Sequence, residues 1–177
     1  MQAENIKTLS FGCRLNALEC EKIKSMLSGH INTAIVVNTC AVTAEGERQS
    51  GQAVRKIARE NPNCPIFVTG CAATRNPALF SNIKNVIVIN NADKMNIDAY
   101  ITAIGKILPD STIDNFNGND EHLSKKFVQV QNGCNHKCAY CVTRLLRGPA
   151  MSFDYSDILQ NAQDAVKNGF YEDYCKR

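Results

Sequence analysis

One arrangement occurs three times in the first half of the chain: a β-like run, a cysteine at its end, then a stretch of helical periodicity. The first is Lys7-Thr-Leu-Ser-Phe-Gly-Cys13, followed by Leu18, Ile23, Met26 and Leu27 at mixed helical spacings. The second is Ala34-Ile-Val-Val-Asn-Thr-Cys40, followed by a helix in which Val54, Ile57 and Ala58 recur at three and four residues. Thr43 suits its N-cap, Glu45 and Glu47 its first turn, and Asn61-Pro62 its end. The third is Pro65-Ile-Phe-Val-Thr-Gly-Cys71, with a short helix expected from near Asn76-Pro77. A fourth strand is expected over Asn85–Asn90, leading to a helix from about Asn91 with Ile97, Ile101, Ile104 and Leu108 on one face.

Alternating strands and helices with continuously apolar strands predict an α/β fold, a Rossmann- or flavodoxin-like parallel sheet covered by helices on both faces. Such sheets bind ligands at the carboxyl ends of their strands. Cys13, Cys40 and Cys71 all fall there, so residues distant in sequence converge on one edge. A single free cysteine is ordinarily a small buried hydrophobe. Three at equivalent strand ends point instead to ligands of a metal cluster.

A second group of thiols follows the strand-like run Phe127-Val-Gln-Val-Gln, in the loop Cys134-Asn-His-Lys-Cys138-Ala-Tyr-Cys141. Thiolates hold iron–sulfur cubes, and a loop that offers three ligands leaves one iron open to bind and polarise another molecule. The competing reading is zinc, because Cys-x-x-Cys pairs also build tetrahedral zinc sites and His136 could be a fourth ligand. His136 lies between two of the cysteines and would have to fold back within the same short loop, so the spacing favours iron–sulfur.

The Cys-x3-Cys-x2-Cys loop, with aromatic Tyr140 just before its last cysteine, resembles the signature of radical S-adenosylmethionine enzymes. Together with the three strand-end cysteines it resembles the methylthiotransferases, over about Ile6 to Gly148. Asn38-Thr-Cys-Ala-Val-Thr-Ala-Glu-Gly-Glu-Arg48 and Val68-Thr-Gly-Cys-Ala-Ala73 are most similar to the MtaB-type subgroup, which acts on N6-threonylcarbamoyladenosine beside the tRNA anticodon. The resemblance implies two 4Fe-4S clusters and S-adenosylmethionine. Cys13, Cys40 and Cys71 would ligate an auxiliary, sulfur-donating cluster, and Cys134, Cys138 and Cys141 the radical-generating one. It further implies insertion of a methylthio group at C2 of the adenine, the tRNA anticodon loop as partner, and an electron donor such as a flavodoxin or ferredoxin. Tyr140, Arg144 and Arg147, beside the cluster loop, are the candidates for cofactor contact, the two arginines through anionic cofactor or RNA groups. Relatives commonly carry a proline soon after the cluster and an arginine where Met151 stands, and this chain departs from both.

A polar, aperiodic stretch, Pro109 to Ser124, marks a linker. The expected organisation is therefore an auxiliary-cluster domain over 1–108, a linker over 109–124, and the incomplete start of a radical domain over 125–177. Only the first βα unit of a β/α barrel is expected in the last part, since such barrels need roughly 250 residues. Its helix is expected from Asp154 or Ser156 to Lys167, with Ile158, Leu159, Ala162 and Val166 inward and Asn168-Gly169 as the C-cap. Nothing strand-like is expected in Tyr171–Arg177. A truncation or an interrupted gene would explain that ending, and the chain alone is expected to be an inactive fragment.

The 9 Cys among 177 residues, with no signal segment and no apolar run long enough for a membrane, suit a reducing cytoplasm, where cysteines serve as ligands rather than disulfides. Cys20, Cys64 and Cys175 have no assigned role. Lys and Arg exceed Asp and Glu by 20 to 17, a net charge of +3, too little to mark a nucleic-acid surface by composition. Arg48, Arg55, Lys56 and Arg59 read as a solvated helix face. Two other functions use parts of the same pattern: a non-catalytic iron–sulfur carrier built on Cys13, Cys40 and Cys71, and a zinc-binding interaction module built on Cys134, Cys138, Cys141 and His136.

Overall fold

In a computed structural model, residues 5–105 and 126–170 are described, together with the backbone of 173–176. The chain divides into two compact units, Met1–Asp120 and Glu121–Arg177. The expected linker over 109–124, together with Leu108, lies outside the described residues.

In the first unit, β1 (Asn5–Ser10), α1 (Arg14–Leu27), β2 (Thr33–Thr39), α2 (Ala44–Glu60), β3 (Ile66–Gly70), α3 (Cys71–Arg75), α4 (Ala78–Ser81), β4 (Val86–Val88) and α5 (Ile97–Ile104) follow in order. The four strands form one parallel sheet in the order β1-β2-β3-β4, the α/β arrangement that the alternation predicts. Strand order never reverses among the described residues, so no crevice opens at a switch point, and the strand ends alone define the ligand edge. Along β2 every residue from Ala34 to Val37 is fully buried. Because side chains alternate between faces, both faces of the sheet are covered. Ala34 and Val36 lie in one apolar cluster with Ile6 of β1, Ile23 and Leu27 of α1, Phe67 of β3 and Tyr100 of α5. The Phe67 and Tyr100 rings meet edge-on with centroids 4.9 Å apart, a geometry that aligns ring edge with ring face.

Local chemistry accounts for most boundaries. The Thr43 hydroxyl accepts from Gly46 N–H, which caps α2 as its sequence predicts. The short helix expected from near Asn76-Pro77 is α4, with Pro77 at its N-cap position, while a further helix, α3, begins at Cys71 immediately after β3 and ends at Arg75. Asn76, which precedes Pro77, is forced out of helical geometry (φ −142°, ψ 75°), and the separate turn α4 then follows. β4 is shorter than the Asn85–Asn90 expectation, being an edge strand paired with β3 alone. The last helix of the unit starts at Ile97, not Asn91, with Asn96 accepting from Asp98 N–H. Ile101 is 42% exposed whereas Tyr100 is fully buried, so the inward stripe is set by the aromatic and not by the isoleucines alone.

In the second unit, β5 (Lys126–Gln129), β6 (Gln131–Asn132), α6 (Thr143–Arg147), β7 (Met151–Ser152), α7 (Tyr155–Lys167) and β8 (Asp173–Lys176) follow. Asp154 caps α7 by accepting from Ser156 N–H, and the helix stops at Asn168. Two expectations are corrected here. Asp173–Lys176 pairs in parallel with Lys126–Gln129, so the unit contains β5-α7-β8, a full βαβ crossover rather than a single βα step. That pairing is made by backbone groups and needs no apolar run, which is why hydrophobic pattern gave no sign of it. Within α7, Ala165 is the buried residue, while Leu159 and Val166 are 43% and 64% exposed, and Ile158 and Ala162 are half-buried. The helix packs on β5 through a narrower stripe than four inward positions require.

Candidate metal centres

The carboxyl edge of the four-stranded sheet is assembled by main-chain register. Ser10 stands opposite Asn38, and Asn38 and Thr39 stand opposite Thr69 and Gly70. Cys40 and Cys71 each follow directly on a registered pair, so they occupy neighbouring strand ends. Thr39 ties these ends together, its hydroxyl donating to Thr69 O at 2.7 Å and accepting from Ala73 N–H at 3.0 Å. On the other side Phe11 N–H donates to Asn38 O at 2.9 Å, and the Asn16 amide donates to Phe11 O at 2.8 Å and Thr39 O at 3.2 Å. The loop bearing Cys13 is thereby fastened to the end of β2. Cys13 is the N-cap residue of α1 but makes no side-chain cap bond.

Gly12, at φ +83°, sits so close to Cys40 that an added Cβ would collide with the thiol sulfur. Only glycine allows that approach, which brings the residue before Cys13 against Cys40. Cys13 is exposed, Cys40 and Cys71 buried. Val42 N–H points to Cys40 Sγ at 3.5 Å, and the Asn91 amide nitrogen lies 3.9 Å from Cys71 Sγ. Three thiols with N–H donors aimed at two of them are a donor set suited to an iron–sulfur cluster, whose sulfurs are tuned by such bonds.

Beneath this edge lies a polar cluster that hydrophobic periodicity does not reveal. The Lys94 ammonium and Glu19 carboxylate meet at 2.7 Å with side chains 3% and 1% exposed. Asn38 donates to the same Glu19 oxygen at 3.2 Å, and Tyr100 O–H donates to Lys94 O at 2.9 Å. Burial, with Glu19 beside it, pushes the Cys20 thiol up to about 12, against the smaller opposing pull of Asn38 and Lys94. Burial likewise raises the Tyr100 phenol, which keeps its proton and remains a donor. Glu19 was detectable in the sequence as a charge on the Leu15-Glu19-Ile23-Leu27 line of i, i+4 positions; Lys94 sits among turn formers and carries no such signal.

The second cysteine group occupies a loop clamped at its base. β6 pairs antiparallel with β7, Cys134 N–H donates to Gly148 O at 3.1 Å, and Ala150 N–H donates to Asn135 Oδ1 at 2.9 Å. Gly133, at φ +71°, lets the two backbones close, since a Cβ there would strike the carbonyl of Pro149. Cys134 is half-buried, Cys138 and Cys141 exposed, and Cys141 N–H donates to Cys138 O at 3.2 Å. Thr143 Oγ1 stands 3.2 Å from Cys141 Sγ, and that hydroxyl, with the Thr143 backbone, holds the thiol below its ordinary value. Tyr140 is 91% exposed at the loop's rim. Arg147 reaches Asn132 Oδ1 at 3.4 Å, and Arg144 is exposed. The loop thus carries two exposed thiols and a half-buried one on a fixed base, again a set that fits a thiolate-held cluster. In both groups the structure places the sulfurs on one edge or loop without drawing them together: among the described residues no three Cys, His, Asp or Glu side chains form a metal-ligating group. No helix among those residues is long and apolar enough to cross a membrane.

Residues 5–90 match the family described as Uncharacterized protein family UPF0004. The chain is 38% identical, over 93% of its length, to the threonylcarbamoyladenosine tRNA methylthiotransferase MtaB of Rickettsia prowazekii (strain Madrid E), of which it covers 41%. It is 31% identical, over 96% of its length, to the protein of the same name from Chlamydia pneumoniae, covering 44% of it. To the tRNA-2-methylthio-N(6)-dimethylallyladenosine synthase of Finegoldia magna (strain ATCC 29328 / DSM 20472 / WAL 2508) it is 28% identical over 95% of its length, covering 42%. The chain spans about two fifths of the length of these curated relatives.

Proposed function

We propose, for a chain that carries a UPF0004 domain at residues 5–90 and is related to tRNA methylthiotransferases over nearly its whole length, a role in methylthiolation of tRNA by radical S-adenosylmethionine chemistry. The observation that supports this most is the placement of Cys13, Cys40 and Cys71 at the carboxyl ends of three adjacent parallel strands, alongside a separate clamped loop with three more thiols. In this reading Cys13, Cys40 and Cys71 hold an auxiliary 4Fe-4S cluster, and Cys134, Cys138 and Cys141 hold a second. The second cluster with S-adenosylmethionine supplies the one-electron chemistry that reaches an unreactive carbon. The chain's own share is to hold the thiolates, with Thr143 favouring the ionised form of Cys141, and to offer Tyr140, Arg144 and Arg147 to the cofactor. The favoured substrate is N6-threonylcarbamoyladenosine beside the anticodon, because relatives with that name are the more similar ones. The compartment is the cytoplasm, where tRNA and a flavodoxin- or ferredoxin-type electron donor are found together.

Iron and acid-labile sulfide per chain after anaerobic reconstitution test the cluster assignment. About eight irons in the parent, falling to about four in the Cys134→Ala, Cys138→Ala, Cys141→Ala variant and also in a Cys13→Ala, Cys40→Ala, Cys71→Ala variant, is the expected result. A colourless protein with bound zinc and no sulfide overturns it.

A further inference from the structure

The buried ion pair beneath the sheet edge continues outward to a candidate cluster ligand. Glu19 Oε2 meets Lys94 Nζ at 2.7 Å, Lys94 Nζ donates to Asn91 Oδ1 at 2.9 Å, and Asn91 Nδ2 lies 3.9 Å from Cys71 Sγ. The direction of this chain is fixed by chemistry. An ammonium only donates, so the Asn91 oxygen must face Lys94, and its NH2 group is turned toward the sulfur. Lys94 Nζ, held between Glu19 Oε2 and Asn91 Oδ1, keeps the amide from flipping. Asn91 is also held by its backbone, whose N–H donates to Thr74 Oγ1 at 3.1 Å, three residues after Cys71.

A pair buried purely for packing would be costly and replaceable by apolar side chains, and nothing about packing requires it to end on a cysteine sulfur. We propose that Asn91, oriented by Lys94 and Glu19, is a positioning residue that donates an N–H hydrogen bond to the Cys71 thiolate and raises the reduction potential of the cluster held at Cys13, Cys40 and Cys71. This rests on the cluster assignment above. Hydrogen bonds to the sulfurs stabilise the reduced, more negative cluster and are one of the protein's levers on its potential.

The test uses the full chain with Cys134, Cys138 and Cys141 replaced by alanine, so that a single cluster is titrated. Asn91→Leu and the paired replacement Lys94→Met with Glu19→Leu are compared with this parent; both leave net charge unchanged, so a shift reports the hydrogen bond and its orientation rather than added charge. The expected result is iron retained at the parent level, a midpoint potential lowered in Asn91→Leu by about 59 mV, a tenfold change in a one-electron equilibrium, and a shift in the same direction in the paired variant. Pulsed EPR of the reduced cluster should show an exchangeable-proton coupling that Asn91→Leu abolishes, a signature that a purely structural role does not move. Full iron with an unchanged potential and an unchanged proton coupling overturns the proposal alone. A parent that binds no iron at Cys13, Cys40 and Cys71 overturns the cluster assignment together with it.

Discussion

Lys94→Met should destabilise the first unit severely, and Lys94→Met combined with Glu19→Leu much less. In the single variant the Glu19 carboxylate, 1% exposed, loses its ammonium partner while the neutral Asn38 amide still donates to it at 3.2 Å. Removing one partner of a buried pair leaves an uncompensated charge and costs about 3–5 kcal/mol, a large fraction of the ~5–15 kcal/mol by which domains are stable. Glu19→Leu alone should cost a similar amount, since it removes the carboxylate partner of a buried ammonium that also donates to the neutral Asn91 oxygen. Removing both charges strands neither. Asn38 retains Asn16 O as an acceptor at 3.1 Å, and Asn91 is half-buried and can turn its oxygen to water. The double variant should therefore cost roughly 0–2 kcal/mol, with a coupling energy above about 3 kcal/mol. Urea unfolding followed by far-UV circular dichroism measures this, because the chain has no tryptophan and midpoints at equal m-value compare stabilities directly. If either single variant costs under about 1 kcal/mol, or the double costs the sum of the singles, the pair is effectively solvated and the reasoning fails.

Two further measurements read titration. Glu45 is held down to about 2 from an ordinary 4.5, first by the Arg48 side chain and then by Gln49, so whatever stability it contributes is present above 4.5 and is lost as pH falls toward about 2. In Arg48→Gln, NMR titration should find this carboxyl moved back toward 4.5; an unmoved value of about 2 refutes the assignment of cause. In the metal-free protein at about pH 8, iodoacetamide should label Cys141 well ahead of Cys20, because thiolates are the reactive form and burial pushes Cys20 up to about 12. Thr143→Val should slow labelling of Cys141 and leave Cys138 unaffected, as resolved by peptide mass spectrometry; equal rates at Cys20 and Cys141 in the folded chain contradict the burial seen here.

What could be read in advance was what local physics controls. β-like runs followed by a cysteine became β1, β2 and β3 with helices after them, and Thr43 capped α2 because its hydroxyl has one geometrically obvious donor to accept from. Errors fell where tertiary contacts decide. α5 starts at Ile97 rather than Asn91 because the intervening turn carries Lys94 inward to meet Glu19. Ile101 lost its expected burial to Tyr100, whose ring packs on Phe67. β8 escaped notice because backbone pairing leaves no mark on hydrophobic pattern, and Leu159 and Val166 stayed exposed because a helix packed on one strand buries a narrow stripe.

The polar groups under the strand ends support the proposed site at this edge. Asn38 Oδ1 and Thr69 Oγ1, opposite one another in register, are buried without a hydrogen-bond partner among the described residues. Each such atom costs about 1–3 kcal/mol, and apolar residues of similar shape at both positions would remove the penalty. Asn16, Glu19, Asn38, Thr39, Thr69 and Lys94 are all nearly inaccessible, yet they gather at one end of the sheet while the strand centres at Ala34–Val37 and Ile66–Val68 are wholly apolar. Asn61 and Asn85 are buried at the opposite edge too, but there the Asn85 amide donates to Asn61 O and Cys64 O; stability alone gives no reason for leaving Asn38 Oδ1 and Thr69 Oγ1, at the cysteine end, without a partner among the described residues. A ligand held at Cys13, Cys40 and Cys71 does, because thiolates carrying negative charge need fixed N–H donors around them, and fixed donors in turn need the buried partners that hold them in place.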